Sequence, residues 1–313
     1  METAATLDPA TFRVAHPEFC DAAKIRVPGI GTPPPIDDSV PFEGNVSVLA
    51  GVTKDPNTLP AMLKQGPEAC GFYLSFRLSD RWGLYFRKGA LVALKEEYHR
   101  IIMRDLKGYM AKPEGYAGTP IDELVTQLEY SLVLDFLVSH LRFHLAVDLA
   151  AAQLEIAEGV PKYVPYQERQ AAETANPPKD PRAIGNLEEA LANFEAFRNY
   201  MNPTYTDAIA KIVEGALEER NASEWKAFFI GGRWGVEVAS MLSRQPPGYR
   251  DFTKLCIRRT SVGATNYVRV MYMPDPQVRD AKAKELSERL AGHGVERNVL
   301  PDGAPDPLVY LLQ

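Results

Sequence analysis

The chain has 313 residues, 45% of them hydrophobic and 24% charged, with a formal net charge of −6. That suits one large globular domain or two ordinary ones, and it excludes the basic surface that holds nucleic acid or an anionic membrane. Cys20, Cys70 and Cys256 are odd in number and far apart, which excludes a disulfide framework and a CxxC metal site and leaves reduced structural thiols.

The opening METAATLDPATF has no basic start and no apolar stretch, so no signal peptide is expected. Residues 1–68 carry Pro28, Pro33, Pro34, Pro35 and Pro41 close together, with Gly29 and Gly31 among them. Proline removes a backbone donor and fixes φ, so the segment is expected to be an extended arm without long helices, with a short strand near 46–49. Such an arm could dock on its own core or on a partner subunit, which makes a homodimer one option.

From Cys70 the pattern changes. Residues 72–78 (FYLSFRL) alternate as a half-buried strand does, Ser79, Asp80 and Arg81 supply turn chemistry, and 82–86 (WGLYF) read as a second strand of a hairpin. Residues 89–109 read as a helix with Leu91, Leu94, Tyr98, Ile101, Ile102 and Leu106 on one side. Thr119, Pro120, Asp122 and Glu123 are a good helix start. That helix can run to about Glu158, where Gly159 and Pro161 end it. Its most apolar stretch, 132–152, is interrupted by Asp135, His140, Arg142, His144 and Asp148, so it is not a membrane span, and a cytoplasmic protein is expected. At ~1.5 Å per residue the helix would exceed about 50 Å, and a break is expected around 129–135. The polar stretch 163–182, with Pro165, Pro177, Pro178 and Pro181, reads as a loop. Helices are expected at 186–200, 206–219, 222–229 and 236–242. The last segment reads as β-α-β, with strands at 266–273 and 308–312 around a helix at 277–291.

The chemistry concentrates on HLRFH (140–144). Two histidines four apart lie on one face of a helix, one turn from each other, the spacing by which a helix offers two nitrogens to one metal ion. A third ligand is available at Glu189, 45 residues after His144, in the string EALAN (189–193) that opens the next helix. Small Ala190 and Ala192 would let that helix approach closely. Asp148, a further turn along the histidine face, could orient an imidazole or be a ligand itself. Plainer readings stand beside these: HxxxH arises by chance in amphipathic helices, Glu188 and Glu189 suit a helix N-terminus electrostatically, and Asp148 suits a solvated face. A competing constellation is Glu96 and His99, an ExxH pair of the di-iron kind, with Glu129, His140, His144 and Glu155 as partners.

HLRFH followed by EALAN resembles the site of gluzincin-type zinc peptidases, which carry HExxH on one helix and a metal-binding glutamate, in several branches within ExxAN, on a later one. WGLY (82–85) and QPPGYRD (245–251) are similar to phrases in bacterial proteins with an HExFH motif. The resemblance covers about 70–255. It implies a zincin-like fold, zinc as cofactor, and metal ligands at His140, His144 and Glu189. It also marks a departure. In zincins the residue after the first histidine is a glutamate that acts as general base on the attacking water. Here it is Leu141. Three functions follow as alternatives: a zincin-like protein that binds metal and a peptide or protein partner without catalysis; a hydrolase that recruits another base from Glu188, Asp148 or Glu129; or a metal-free interaction scaffold. The expected fold is α+β, mainly helical, with a small sheet on one edge. It divides into an arm (1–68), a core (69–255) and a C-terminal segment (256–313).

Overall fold

The computed structural model describes residues 7–21, 41–42, 46–49, 66–67, 70–80, 82–106, 120–175, 186–200, 233–246 and 248–252. The helices expected at 206–219 and 222–229, the whole C-terminal β-α-β segment and most of the arm lie outside them. The described chain is mainly helical α+β. Its helices are α1 (Pro9–Ala15), α2 (Lys88–Leu106), α3 (Pro120–Glu158), α4 (Tyr163–Ala175), α5 (Leu187–Tyr200) and α6 (Arg233–Leu242). Its strands are β1 (Pro41–Phe42), β2 (Val46–Leu49), β3 (Gly71–Leu74) and β4 (Gly83–Arg87), in sheet order β1-β2-β4-β3. β3 and β4 form the expected antiparallel hairpin, pairing Phe72 with Tyr85 and Tyr73 with Leu84, and β2 runs parallel to β4.

α3 is one unbroken helix of 39 residues, roughly 58 Å long at 1.5 Å per residue. The break expected around 129–135 is absent. After Pro120 the helix contains no glycine or proline. Neighbours surround it, so Leu132, Val133, Phe136, Leu137, Leu141, Leu145 and Val147 are all buried although they do not share one face. A helix apolar on most sides is stable when it is the centre of a bundle. It ends as expected: Gly159 takes φ +66° and its N–H bonds the Glu155 carbonyl at 2.7 Å, a left-handed cap suited to glycine.

α5 lies along α3, and its small residues Ala190, Ala192 and Ala196 are fully buried. α6 closes the far side, where Trp234 packs edge-on against Tyr98 at 5.2 Å and near Tyr200 at 5.8 Å. Tyr200 donates to the Leu132 carbonyl inside α3.

Three expectations are corrected. Residues 163–175 form α4 instead of a loop. Pro165 lies in the first turn, where its missing N–H costs nothing, and the backbone N–H groups of Lys162 and Tyr163 donate to the Glu155 carboxylate at 2.6 and 2.8 Å. The strand expected over 72–78 stops at Leu74, because Ser75 and Arg77 turn inward to Asp148. β3 is also buried on both faces rather than one: Tyr73 joins the main core, while Phe72 and Leu74 pack with Tyr85 as a separate cluster. The described part of the arm docks on its own chain, with Phe12 edge-on to Phe76 at 5.2 Å. No helix among the described residues is long and apolar enough to cross a membrane.

Candidate metal centre

The i, i+4 spacing on α3 brings the rings of His140 and His144 to 4.9 Å between centroids, tilted 70°. Their Nε2 atoms lie 3.2 Å apart. The N-terminus of α5 delivers the third group. Asn186 precedes that helix, and its side-chain oxygen accepts from the Glu189 N–H at 3.3 Å, the bond of an N-cap. This fixes the first turn so that Glu189 Oε2 stands 3.6 Å from His140 Nε2 and 3.4 Å from His144 Nε2. His140 is wholly buried, and His144 and Glu189 nearly so. The three residues could hold a metal ion, and among the described residues they are the one group of three such side chains that converges in this way.

The donor set fits an ion. Two bonds of about 2.0–2.1 Å meeting at the tetrahedral angle put donor atoms about 3.3–3.4 Å apart, and the triangle here has edges of 3.2, 3.6 and 3.4 Å. Right-angled bonds of the same length would need about 2.8–3.0 Å.

Glu188 is brought to the site in another role from the one considered for it. Its Oε1 lies 2.7 Å from His144 Nδ1, on the side of the ring away from the converging atoms. Its Oε2 accepts from the Tyr166 hydroxyl at 2.6 Å and from Gln170 Nε2 at 3.0 Å. Burial alone would lower the pKa of His144. The charge of Glu189 and the hydrogen bonds to Glu188 and Glu189 outweigh it and raise the value well above the ordinary histidine range. A metal ion at Nε2 would take the place of that proton.

Leu141 is buried at 1% exposure. It lines a small pocket beside the centre together with Tyr73, Ser75, His144, Gln170 and Glu189. The room in it is about 30 Å³, enough for a water molecule or two.

Asp148 is neither a ligand nor an orienting group for the histidines. Its carboxylate takes the hydroxyls of Tyr73 and Ser75 at 2.9 and 2.5 Å and Arg77 Nε at 2.5 Å. Arg77 Nη1 reaches Glu155 at 2.5 Å and the Phe19 carbonyl at 3.1 Å. Glu129 is bound to His99 Nδ1 at 2.7 Å and lies 3.7 Å from Lys95. The residues of the di-iron alternative are therefore divided among separate clusters.

Sequence reasoning missed Tyr166 and Gln170, because the segment that carries them was read as a loop. It also missed what holds the roof. Asn193, the last residue of EALAN, donates to Gln245 Oε1 at 2.9 Å and to the Tyr249 carbonyl at 3.0 Å. This ties Gln245 and Tyr249 to α5, and the Tyr249 ring stacks near His140 at 6.5 Å. Gly66, at φ +93°, lies against that ring; a Cβ there would come within 2.5 Å of it. Gly66→Ala is expected to destabilise the protein by about 1–3 kcal/mol, read by denaturant unfolding. An unchanged midpoint would mean that Tyr249 is not held there.

Comparisons with protein-family models, characterised proteins and solved structures find no match to this chain.

Proposed function

We propose that this is a zincin-like, zinc-binding protein whose general-base position has passed to Leu141, so that the centre holds metal and serves binding of a protein or peptide partner without hydrolysing it. The observation that carries the reading is the convergence of His140 Nε2, His144 Nε2 and Glu189 Oε2 at 3.2–3.6 Å. Two imidazoles and a carboxylate are ligand types that zinc takes, and the spacing accommodates its tetrahedral bonds. Among the described residues three protein ligands converge, the number that leaves one position open in catalytic zinc centres. The absence of a base supports the non-catalytic side. Among the described residues lining the pocket, the carboxylates are Glu188 and Glu189. One is engaged with His144 Nδ1 and the other stands as a ligand, so neither takes over the role of Leu141. The zinc, when bound, would supply a Lewis acid beside the pocket.

Metal analysis tests this. The purified chain is expected to carry one zinc per molecule. His140→Ala and Glu189→Ala are each expected to lose more affinity than the ~10–100-fold that a supporting residue carries. Chelation is expected to lower stability by about 2.7 kcal/mol relative to zinc held at 100 times its Kd. A chain with no stoichiometric metal, and with His140→Ala as stable as the parent, would leave the metal-free scaffold as the correct reading.

A further inference from the structure

Helix α4 is tied at two places to residues far from it in the chain. Glu155 caps its start: Oε1 accepts from the Lys162 and Tyr163 N–H groups at 2.6 and 2.8 Å, while Oε2 meets Arg77 Nη1 at 2.5 Å. Further along, Tyr166 and Gln170 donate to Glu188 Oε2 at 2.6 and 3.0 Å. Glu188 Oε1 in turn lies 2.7 Å from His144 Nδ1. The helix that takes its cap from the Arg77 network therefore also holds the carboxylate behind a metal ligand.

The N-terminal segment completes that network. Arg77 Nη1 donates to the Phe19 carbonyl at 3.1 Å, and its guanidinium lies 4.9 Å from the Phe12 ring and 4.6 Å from the Tyr163 ring. Phe12, Phe19 and Arg77 are all buried. α1, which carries Phe12, has seven residues, and α4 has 13. Isolated helices of about that length or shorter are marginal in water, so both depend on what they dock against. Without the segment, Arg77 would be opened to water, and the cap that Glu155 gives α4 would be loosened.

We infer that docking of the N-terminal segment, residues 8–19, sets the metal affinity of the centre through Arg77, Glu155 and α4. The inference rests on the metal reading above. α4 is the element with two arrangements, seated and loose. A metal ion at His144 Nε2 favours the seated one, since it fixes the ring whose Nδ1 side meets Glu188, and Glu188 is held from α4. The docked segment favours the same arrangement through the cap. Each therefore strengthens the other, and by the same factor.

Cys20 reports the segment. It follows Phe19, and burial pushes its thiol up to about 11, which slows alkylation while the segment is docked. Cys70 is fully buried and reports global opening. Alkylation is followed at each cysteine by mass spectrometry, with and without saturating zinc. Cys20 is expected to react faster than Cys70, and zinc is expected to slow it by about 5–150-fold, the usual range of coupling between sites. Phe12→Ala is expected to weaken zinc binding by the same factor, whereas Val238→Ala, a core truncation on α6, leaves it near the parent's. In the double variant Tyr166→Phe, Gln170→Ala, zinc should no longer slow Cys20. Parent Cys20 that reacts no faster than Cys70, or at a rate zinc does not change, overturns the inference, whether or not any variant folds. So does parental zinc affinity in Phe12→Ala, an equal loss in Val238→Ala, or a full response in the double variant. A parent chain that takes up no zinc overturns the metal reading and this inference together, so zinc uptake, measured first, tells the two failures apart.

Discussion

Leu141→Glu is expected to raise peptidase activity of the zinc-loaded protein by about 10²–10⁴-fold over the parent's background, the range a positioned general base contributes. The argument is one of place. Leu141 follows His140 on α3, and its side chain lines the pocket beside His144 and Glu189. A carboxylate there would face the open position, where it could take a proton from an attacking water and return it to a leaving amine. Glu188 cannot do this from behind the imidazole. The substitution also carries a structural signature. It buries a third carboxylate beside Glu188 and Glu189, so the metal-free variant is expected to be less stable than the metal-free parent, and bound zinc should recover much of the difference. Turnover of unstructured peptides with and without chelator, alongside unfolding curves, reads both effects. Activity in the parent equal to that of the variant would show that the base lies elsewhere. A folded, zinc-loaded variant with no activity would show that the scaffold lacks more than its base.

The second large effect lies at two acids about one and three turns beyond His144 on α3. Arg77→Ala is expected to destabilise the protein by about 3–5 kcal/mol, the cost of breaking a buried ion pair from one side. Arg77 is fully buried and bridges Asp148 and Glu155 at 2.5 Å each. Its guanidinium lies 4.9 Å from the Phe12 ring and 4.6 Å from the Tyr163 ring. It therefore joins the arm, the turn after β3, the C-terminal third of α3 and the start of α4. Burial works against its charge, but the two carboxylates outweigh that and raise its pKa. Alanine would leave Asp148 and Glu155 buried with no cation between them. Arg77→Lys should recover only part of the loss, since one ammonium cannot reproduce the planar fork that reaches both acids and the Phe19 carbonyl. Denaturant unfolding of the two variants provides the measurement. A loss under about 1 kcal/mol would mean that the network is worth no more than a surface pair.

These effects mark where sequence reasoning reached and where it stopped. The hairpin, the extent of α5 and the end of α3 follow from local signals: alternation in WGLYF, Asn186 before an acidic first turn, Gly159 after an apolar run. The pairing of HLRFH with EALAN was legible for the same reason, because helical spacing alone sets His140 and His144 on one face. Asp148 shows the limit. Its position on that face made it a candidate for the metal, and the histidine spacing repeats at it, but Arg77, far away in the chain, claims it. Helix α4 is hidden because the stretch 163–182 is polar and carries four prolines, although the first helical turn tolerates Pro165 and Glu155 supplies the missing cap. With that helix went Tyr166 and Gln170, and with them the role of Glu188.

By itself the sequence determined the local matters: a mainly helical α+β chain, two imidazoles one turn apart, a glutamate waiting at the head of a later helix, and a leucine beside the first histidine. Backbone periodicity, capping and proline chemistry act over a few residues, so they can be read from a few residues. Only the tertiary structure decided which acid meets which base. Glu189 stands among the histidines, Glu188 behind one of them, Asp148 and Glu155 on Arg77, and Glu129 on His99. A buried charge requires a partner wherever the chain can bring one, and that choice is made by packing between elements distant in sequence.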